Sequence, residues 1–216
     1  MPDNLSPSIL KFREEFSDFL MNNRQLPEEE LRKLSLREGY YRMSQPVGLG
    51  GQGASPMQMV VARETIANLG VLSPTSVIGP EPGLLSEVEG SLKADYLIPL
   101  LEGEKKASFA FTESKSDSPT VADWDGGDLV VSGRKSYVSG GHLSDFMSVV
   151  LTVDSKKTTD KNGPAVVIVD SDSKGIEMGE PFYSLDGSSH VEVEFKSVKV
   201  DAKNVIGEIG QGIPRA

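Results

Sequence analysis

Ala107-Ser-Phe-Ala-Phe111-Thr112-Glu113 and, after a polar interval, Gly133-Arg-Lys-Ser-Tyr137-Val-Ser139-Gly140-Gly141 make up the stretch on which the reading of this chain turns. Both segments read as buried strands that finish on a hydroxyl residue. Thr112 closes an apolar run; Ser139 follows Tyr137 and Val138 and precedes two glycines. A hydroxyl can both donate and accept, and glycine lets a ligand approach the backbone closely. A hydroxyl at a strand end, beside an aromatic and glycines, therefore suits a flat polar ring.

Upstream of this stretch the apolar period is helical. Ser6 and Pro7 form an N-cap and a first helical residue. Ile9, Phe12, Phe16 and Phe19 then recur at helical spacing as a buried stripe. Pro27 opens a second helix, with Glu28, Glu29 and Glu30 in the first turn where the helix dipole favours negative charge. Ser55 and Pro56 open a third, with Met59, Ala62, Ile66 and Leu69 on one face and Gly70 placed to end it. Two shorter helical pieces are expected, near Leu84–Glu89 and from Ser91 to Leu101.

Downstream of Gly103 the period becomes two. Ser108–Thr112, Leu129–Val131, Arg134–Ser139, Phe146–Val153, Ala165–Asp170 and Val191–Val200 are rich in Val, Phe, Thr and Tyr and read as strands. Ser132-Gly133 is expected to be a tight hairpin turn. Val191, Val193 and Phe195 alternate with Glu192 and Glu194, as in a strand with one wet face. Helices first and strands second give an α+β class. The expected architecture is an all-helical domain over residues 1–104 and an antiparallel β-barrel or sandwich over 105–208, with 209–216 beginning a linker.

Composition narrows the function classes. The 216 residues carry 22 Lys and Arg against 32 Asp and Glu, a formal charge of −10, which argues against nucleic acid or an anionic membrane as the main partner. The absence of cysteine excludes a disulfide framework, a thiolate metal site and a cysteine nucleophile. Met1-Pro-Asp-Asn-Leu-Ser has no basic segment followed by an apolar one, so no signal peptide is expected. No apolar run approaches the roughly 18–20 residues needed to cross a bilayer. A cytoplasmic location is the expectation.

Competing motifs are weaker. Gly48-Leu-Gly50-Gly51-Gln-Gly53 matches the dinucleotide fingerprint by spacing, but that fingerprint needs a strand before it and a helix after it. Here a helical segment and Pro46 precede it, which favours a glycine-rich loop between helices. His142 and His190 lack a third ligand and read as satisfied surface or strand-end histidines. Glu192 and Glu194 fall on the wet face of a strand and read as solvated. No Gly-x-Ser-x-Gly elbow occurs.

The Thr112-Glu113 strand end and the Gly-x-Lys-aromatic-x-Ser-x-Gly strand ending in Ser139 resemble the flavin-contact region of the acyl-CoA dehydrogenase family. Leu92-Lys-Ala-Asp-Tyr96-Leu97 through Gly103-Glu104 resembles the family's Lys-x-x-Tyr-Leu-x-x-Leu-x-x-Gly-Glu segment. Gly187 through Val200, continuing to Asn204-Val-Ile-Gly207-Glu208, resembles the strand that closes the family's middle domain. Three such segments in the same order cover about half of the chain.

The resemblance implies FAD as cofactor and an acyl-CoA as substrate, with α,β-dehydrogenation of the thioester as the reaction. An electron-transferring flavoprotein or oxygen would accept the electrons, and the intact protein would be an oligomer. By position, Phe111 and Thr112 would meet the pyrimidine edge of the flavin, Tyr137 would pack beside the ring system, and Ser139 would lie near N5. Ser116 matches the family's substrate-cradling loop, although Thr112-Glu-Ser-Lys-Ser116-Asp117 is shorter and lacks that loop's proline and glycine. The family's base is a Glu in a C-terminal helical domain. No residue here matches it, so a fragment of 216 residues is expected to lack the catalytic base. Two alternatives remain: a flavin-dependent monooxygenase of the same superfamily, and a non-catalytic subunit that binds acyl-CoA or a partner chain.

Overall fold

Residues 5–113, 119–154, 162–185 and 187–212 are described by a computed structural model. The chain divides into two units. One comprises Met1–Pro82 with Leu101–Gly103, the other Gly83–Leu100 with Glu104–Ala216.

The first unit is built from helices α1 (Pro7–Asn23), α2 (Glu28–Arg37), α3 (Pro56–Asn68) and the short α4 (Pro74–Val77). The starts of the longer three lie where their capping residues place them. Ser6 accepts from the Ile9 N–H at the head of α1. Pro27 precedes α2 and its three acidic residues. Ser55 and Gln58 form a reciprocal capping box on α3. Phe16, Leu20, Leu31, Met43, Ala62, Ile66, Val71 and Val77 make the core, with Phe12, Phe19, Met59 and Leu69 packed against it. The apolar stripes of α1 and α3 therefore face inward.

The glycine-rich segment at Gly48–Gly53 begins within a short 3-10 turn, Val47–Leu49, and no strand precedes it among the described residues. A Cβ on Gly51 would lie 2.1 Å from the Gln45 carbonyl oxygen. Close backbone packing in an interhelical loop accounts for the glycine, and the dinucleotide reading is excluded.

The second unit opens with helical residues. A 3-10 turn at Gly83–Leu85 comes first, then Gly90–Leu92, a π turn at Lys93–Leu97, and residues 98–100 of the helix Ile98–Leu101. Its strands follow: β1 (Ala107–Ala110), β2 (Val121–Asp125), β3 (Asp128–Ser139), β4 (Phe146–Val153), β5 (Gly163–Asp170), β6 (Ile176–Met178), β7 (Phe182–Tyr183) and β8 (Ser189–Asp201). Among the described residues these strands form one sheet in the order β1-β4-β2-β3-β8-β6, with β5 added to β4 and β7 to β8. The sheet is a curled half-barrel, and Val131, Val149, Val167, Val191 and Val193, with Phe195, Leu129 and Leu151, belong to a second core.

Two expectations need correction. The sheet is mixed, because β1 pairs parallel with β4, and so does β2. Alternation fixes which side chains face inward but carries no information on strand direction. Ser132-Gly133 is not a turn either. The hairpin turns at Gly126-Gly127, between Asp125 and its partner Asp128. Gly133 lies inside the continuous strand β3, at a register shift against β8. A Cβ there would come 2.5 Å from the Thr120 Cα, and its φ is +137°. Gly133 thus serves a bulge and a close backbone approach, not a reversal.

No helix among the described residues is long and apolar enough to cross a membrane.

Candidate functional site

Lys135 is the residue that organises the site. It is 1% exposed and fully surrounded in β3. Its Nζ donates to the Phe111 carbonyl at 2.9 Å and to Glu113 Oε1 at 2.6 Å. The other carboxylate oxygen of Glu113 accepts from the backbone N–H and the hydroxyl of Thr120. Burial pulls the Lys135 ammonium below the ordinary lysine range, and the Glu113 carboxylate opposes that pull. An isolated bridge pairs Glu113 antiparallel with Lys135, and Ser136 N–H donates to the Thr112 carbonyl at 2.9 Å. Farther along, the Ser108 hydroxyl donates to the Ser139 carbonyl at 3.0 Å. The end of β1 and the end of β3 are therefore fixed to one another from beneath.

Phe111, Thr112, Tyr137 and Ser139, singled out in the sequence, lie on these two joined segments. All four side chains are exposed, Phe111 by 50% and Tyr137 by 65%. Phe109 stacks on Phe111 with 5.7 Å between ring centroids. Tyr137 has φ +56° and occupies a register shift between Lys135 and Val138. An aromatic residue in the left-handed region is a backbone outlier. The bulge re-aims its side chain outward, and such local strain is maintained where the surroundings over-determine it. Gly140 follows with φ +62° and turns the chain away. Ser116 falls outside the described residues.

His190, expected to be a satisfied surface or strand-end histidine, has partners that the sequence did not identify. On β8 it faces Ser139 in register, and its Nδ1 lies 2.9 Å from Ser139 Oγ. Its Nε2 meets Ser184 Oγ at 2.8 Å and Ser188 Oγ at 3.2 Å. Phe182 packs on the imidazole at 5.6 Å and meets Tyr137 edge to face at 5.2 Å. The signal was hidden because Ser139 and His190 are 51 positions apart and only the β3–β8 pairing joins them. His142 also departs from expectation: its Nδ1 is buried without a hydrogen-bond partner among the described residues. Glu192 and Glu194 both pair with Arg134 on the outer face of the sheet.

A second cluster in the same unit joins two of the resembling segments. The Tyr96 hydroxyl donates to Asp170 Oδ2 at 3.1 Å, and its ring packs edge to face on Phe146 at 4.9 Å. Asn204 Nδ2 donates to the Ile168 carbonyl and reaches the Tyr96 hydroxyl at 3.5 Å. Burial first, and then the Asp170 carboxylate, push the Tyr96 phenol up to about 12. The cluster fastens the π turn to the strands and has a structural role.

Exposed hydroxyls, carbonyls committed to the scaffold, and apolar rings beside them make a face suited to a planar heteroaromatic ligand. Such a ligand would stack against the rings and take hydrogen bonds at its polar edge.

Residues 104–198 match the family profile described as "Acyl-CoA dehydrogenase, middle domain". The chain is 29% identical to the 3-(aryl)acrylate reductase of Clostridium sporogenes over 212 residues, covering 92% of this chain and 55% of that protein. It is 31% identical to the caffeyl-CoA reductase-Etf complex subunit CarC of Acetobacterium woodii over 215 residues, covering 94% of this chain and 55% of that one. Among solved structures, acyl-CoA dehydrogenase of Bacillus anthracis, complexed with FAD, superposes with a TM-score of 0.70 at 22% identity, covering 99% of this chain and 40% of that one. The chain spans about half the length of the curated relatives it matches.

Proposed function

Because the chain belongs to the acyl-CoA dehydrogenase family, whose members bind FAD, we propose that its β unit supplies one wall of a flavin site. The enzyme it serves would interconvert the saturated and α,β-unsaturated forms of an acyl-CoA. The observation that carries this reading is that Phe111, Thr112, Tyr137 and Ser139, all exposed, lie on two strand-end segments joined through Lys135 and the Ser136–Thr112 backbone bond. FAD bound there would supply the hydride-accepting or hydride-donating centre.

The chain's own residues would bind and orient it. Thr112 and the Phe111 backbone would meet the polar edge, Tyr137 would cover the ring, and Ser139 would supply a hydrogen bond near the reactive nitrogen. Lys135, locked to Phe111 and Glu113, holds that edge in place without touching the ligand. No residue of this chain is assigned as the base. Ser116 keeps its proposed place beside the substrate, and the domain limits near residues 104 and 208 stand as part of the same proposal.

The reductase names of the Clostridium and Acetobacterium relatives favour the reductive direction. In that direction a hydride would go to the β-carbon and a proton to the α-carbon of an α,β-unsaturated thioester. An electron-transferring flavoprotein is the proposed redox partner, as the name of the Acetobacterium complex suggests.

Titration of the protein with FAD, followed by flavin fluorescence, tests the reading. Ser139→Ala and Tyr137→Ala should each weaken binding by a factor matching ~0.5–1.5 kcal/mol per lost contact, with far-UV circular dichroism unchanged. Unaltered affinity in both variants would remove the site from this face. Anaerobic mixing of the FAD-loaded full-length protein with acyl-CoA, and of its reduced form with enoyl-CoA, then decides the direction.

A further inference from the structure

We propose that His190 is a positioning residue that turns the Ser139 hydroxyl into a hydrogen-bond donor toward the open face; this rests on the flavin reading above. The argument is one of proton count. A hydroxyl has a single proton to donate, and a neutral imidazole has one donor and one acceptor nitrogen. If Nδ1 were the acceptor, Ser139 would spend its proton on His190 and could only accept from a ligand. If Nδ1 carries the proton, Ser139 accepts from His190 and its own proton is free to point outward.

The surroundings fit the second arrangement, which is the one proposed. Two hydroxyls, Ser184 at 2.8 Å and Ser188 at 3.2 Å, converge on Nε2. Either hydroxyl can donate to Nε2, and in the proposed arrangement one of them does, which leaves the ring proton on Nδ1. Phe182, packed on the imidazole, and the β3–β8 register hold the ring in this orientation. The Ser139 carbonyl accepts from Ser108 and cannot donate, so the hydroxyl is the side-chain donor this residue can offer a ligand. The ligand atom that fits is an acceptor, such as an unprotonated ring nitrogen or a carbonyl of a planar heterocycle.

The test uses the full-length protein and FAD as probe, with Ser139→Ala, His190→Phe, His190→Asn and the Ser139→Ala/His190→Phe double variant. Phe keeps the ring packing but removes both nitrogens; Asn places an N–H donor near the position of Nδ1. Ser139→Ala and His190→Phe should each raise the FAD dissociation constant by about tenfold. The double variant should be no weaker than either, and His190→Asn should recover to within about twofold. The flavin midpoint potential should move in the same direction in both single variants and return in His190→Asn.

Independently of FAD, nitrogen-15 spectra of the neutral imidazole should show the Nδ1–H tautomer. The Nε2–H tautomer would overturn the proposal whatever the binding data. Weakened binding in Ser139→Ala with none in His190→Phe would overturn it while leaving the flavin reading intact. Undiminished binding in Ser139→Ala would overturn both. Should His190→Phe fail to fold, His190→Asn and the tautomer spectrum still decide the matter, because a wrong tautomer leaves Ser139 without a free proton.

Discussion

At the scale of single residues, the pairing of Lys135 with Glu113 makes an asymmetric prediction. Lys135 is buried, whereas about a third of the Glu113 side chain meets solvent. Removing the carboxylate strands a desolvated ammonium, but removing the ammonium lets the carboxylate turn toward water. Glu113→Ala should therefore cost about 2–4 kcal/mol, a buried-pair loss discounted for the exposed partner, against about 1–2 kcal/mol for Lys135→Met. Urea unfolding gives both numbers, and the reverse order would contradict this account. The Glu113→Ala deficit should also shrink as pH rises toward the lysine range. A lysine depressed in the folded state binds fewer protons folded than unfolded, so stability climbs with pH. Tyr96 has the opposite sign. Its phenol is raised from 10.0 to about 12, so the folded chain keeps a proton that the unfolded chain releases. The resulting stabilisation is fully present below about pH 10 and is lost between there and about 12. In Tyr96→Phe, denaturation midpoints measured across that window should fall less steeply. Phe111, Thr112, Tyr137 and Ser139 could be picked out in the sequence because each site feature is local: a hydroxyl, an aromatic neighbour, a glycine. The buried state of Lys135 and the contact of His190 with Ser139 could not, because Glu113 and Ser139 lie 22 and 51 residues from their partners and are brought in by strand pairing.

At the scale of elements, helix starts and strand faces were legible because capping residues and periodicity are short-range signals. Ser6, Pro27 and Ser55 mark their helices, and Phe146–Val153 reads as the strand that forms. Strand direction was not legible, since the parallel ladders of β4 with β1 and β2 join segments with no shared turn. β2 itself, Val121-Ala-Asp-Trp-Asp125, was not legible because its exposed face carries Asp123 and Asp125 and its inward face offers only Ala122 and the half-buried Trp124. Gly133 was mistaken for a turn because a glycine at a bulge and a glycine at a hairpin look alike in sequence. The two roles differ in consequence. Gly133→Ala puts a Cβ against the Thr120 backbone at φ +137° and should cost roughly 2 kcal/mol or more. Gly126→Asn, at the true hairpin with φ +67° and open space around it, should stay within about 1 kcal/mol of the parent, since Asn tolerates that conformation. Equal losses in thermal or urea unfolding would place the turn elsewhere.

At the scale of the whole molecule, two opposing features govern association. Phe109, Phe111, Tyr137, Phe182, Tyr183 and Leu185 are large apolar or aromatic side chains exposed on the β unit. Exposed apolar groups in such number mark surfaces that pair with something. The formal charge of −10 keeps copies apart through mutual repulsion. Repulsion between exposed charges reaches about 30 Å at about 0.01 M salt but only about 3 Å at about 1 M, while apolar contact is not screened. The 216-residue polypeptide should therefore be monomeric at low ionic strength and associate as salt is added. An assembly held by surface ion pairs would do the reverse. Replacing Phe111 and Tyr137 by Ser should abolish the salt-driven step without changing the far-UV spectrum. FAD should suppress it in the parent polypeptide by covering the same rings. Sedimentation velocity across a salt series, with and without FAD, reads all of these effects. Association that weakens with salt, or that survives in the double-serine variant, would show that this face is not the adhesive one, and the proposed flavin wall would lose its connection to the exposed aromatic surface.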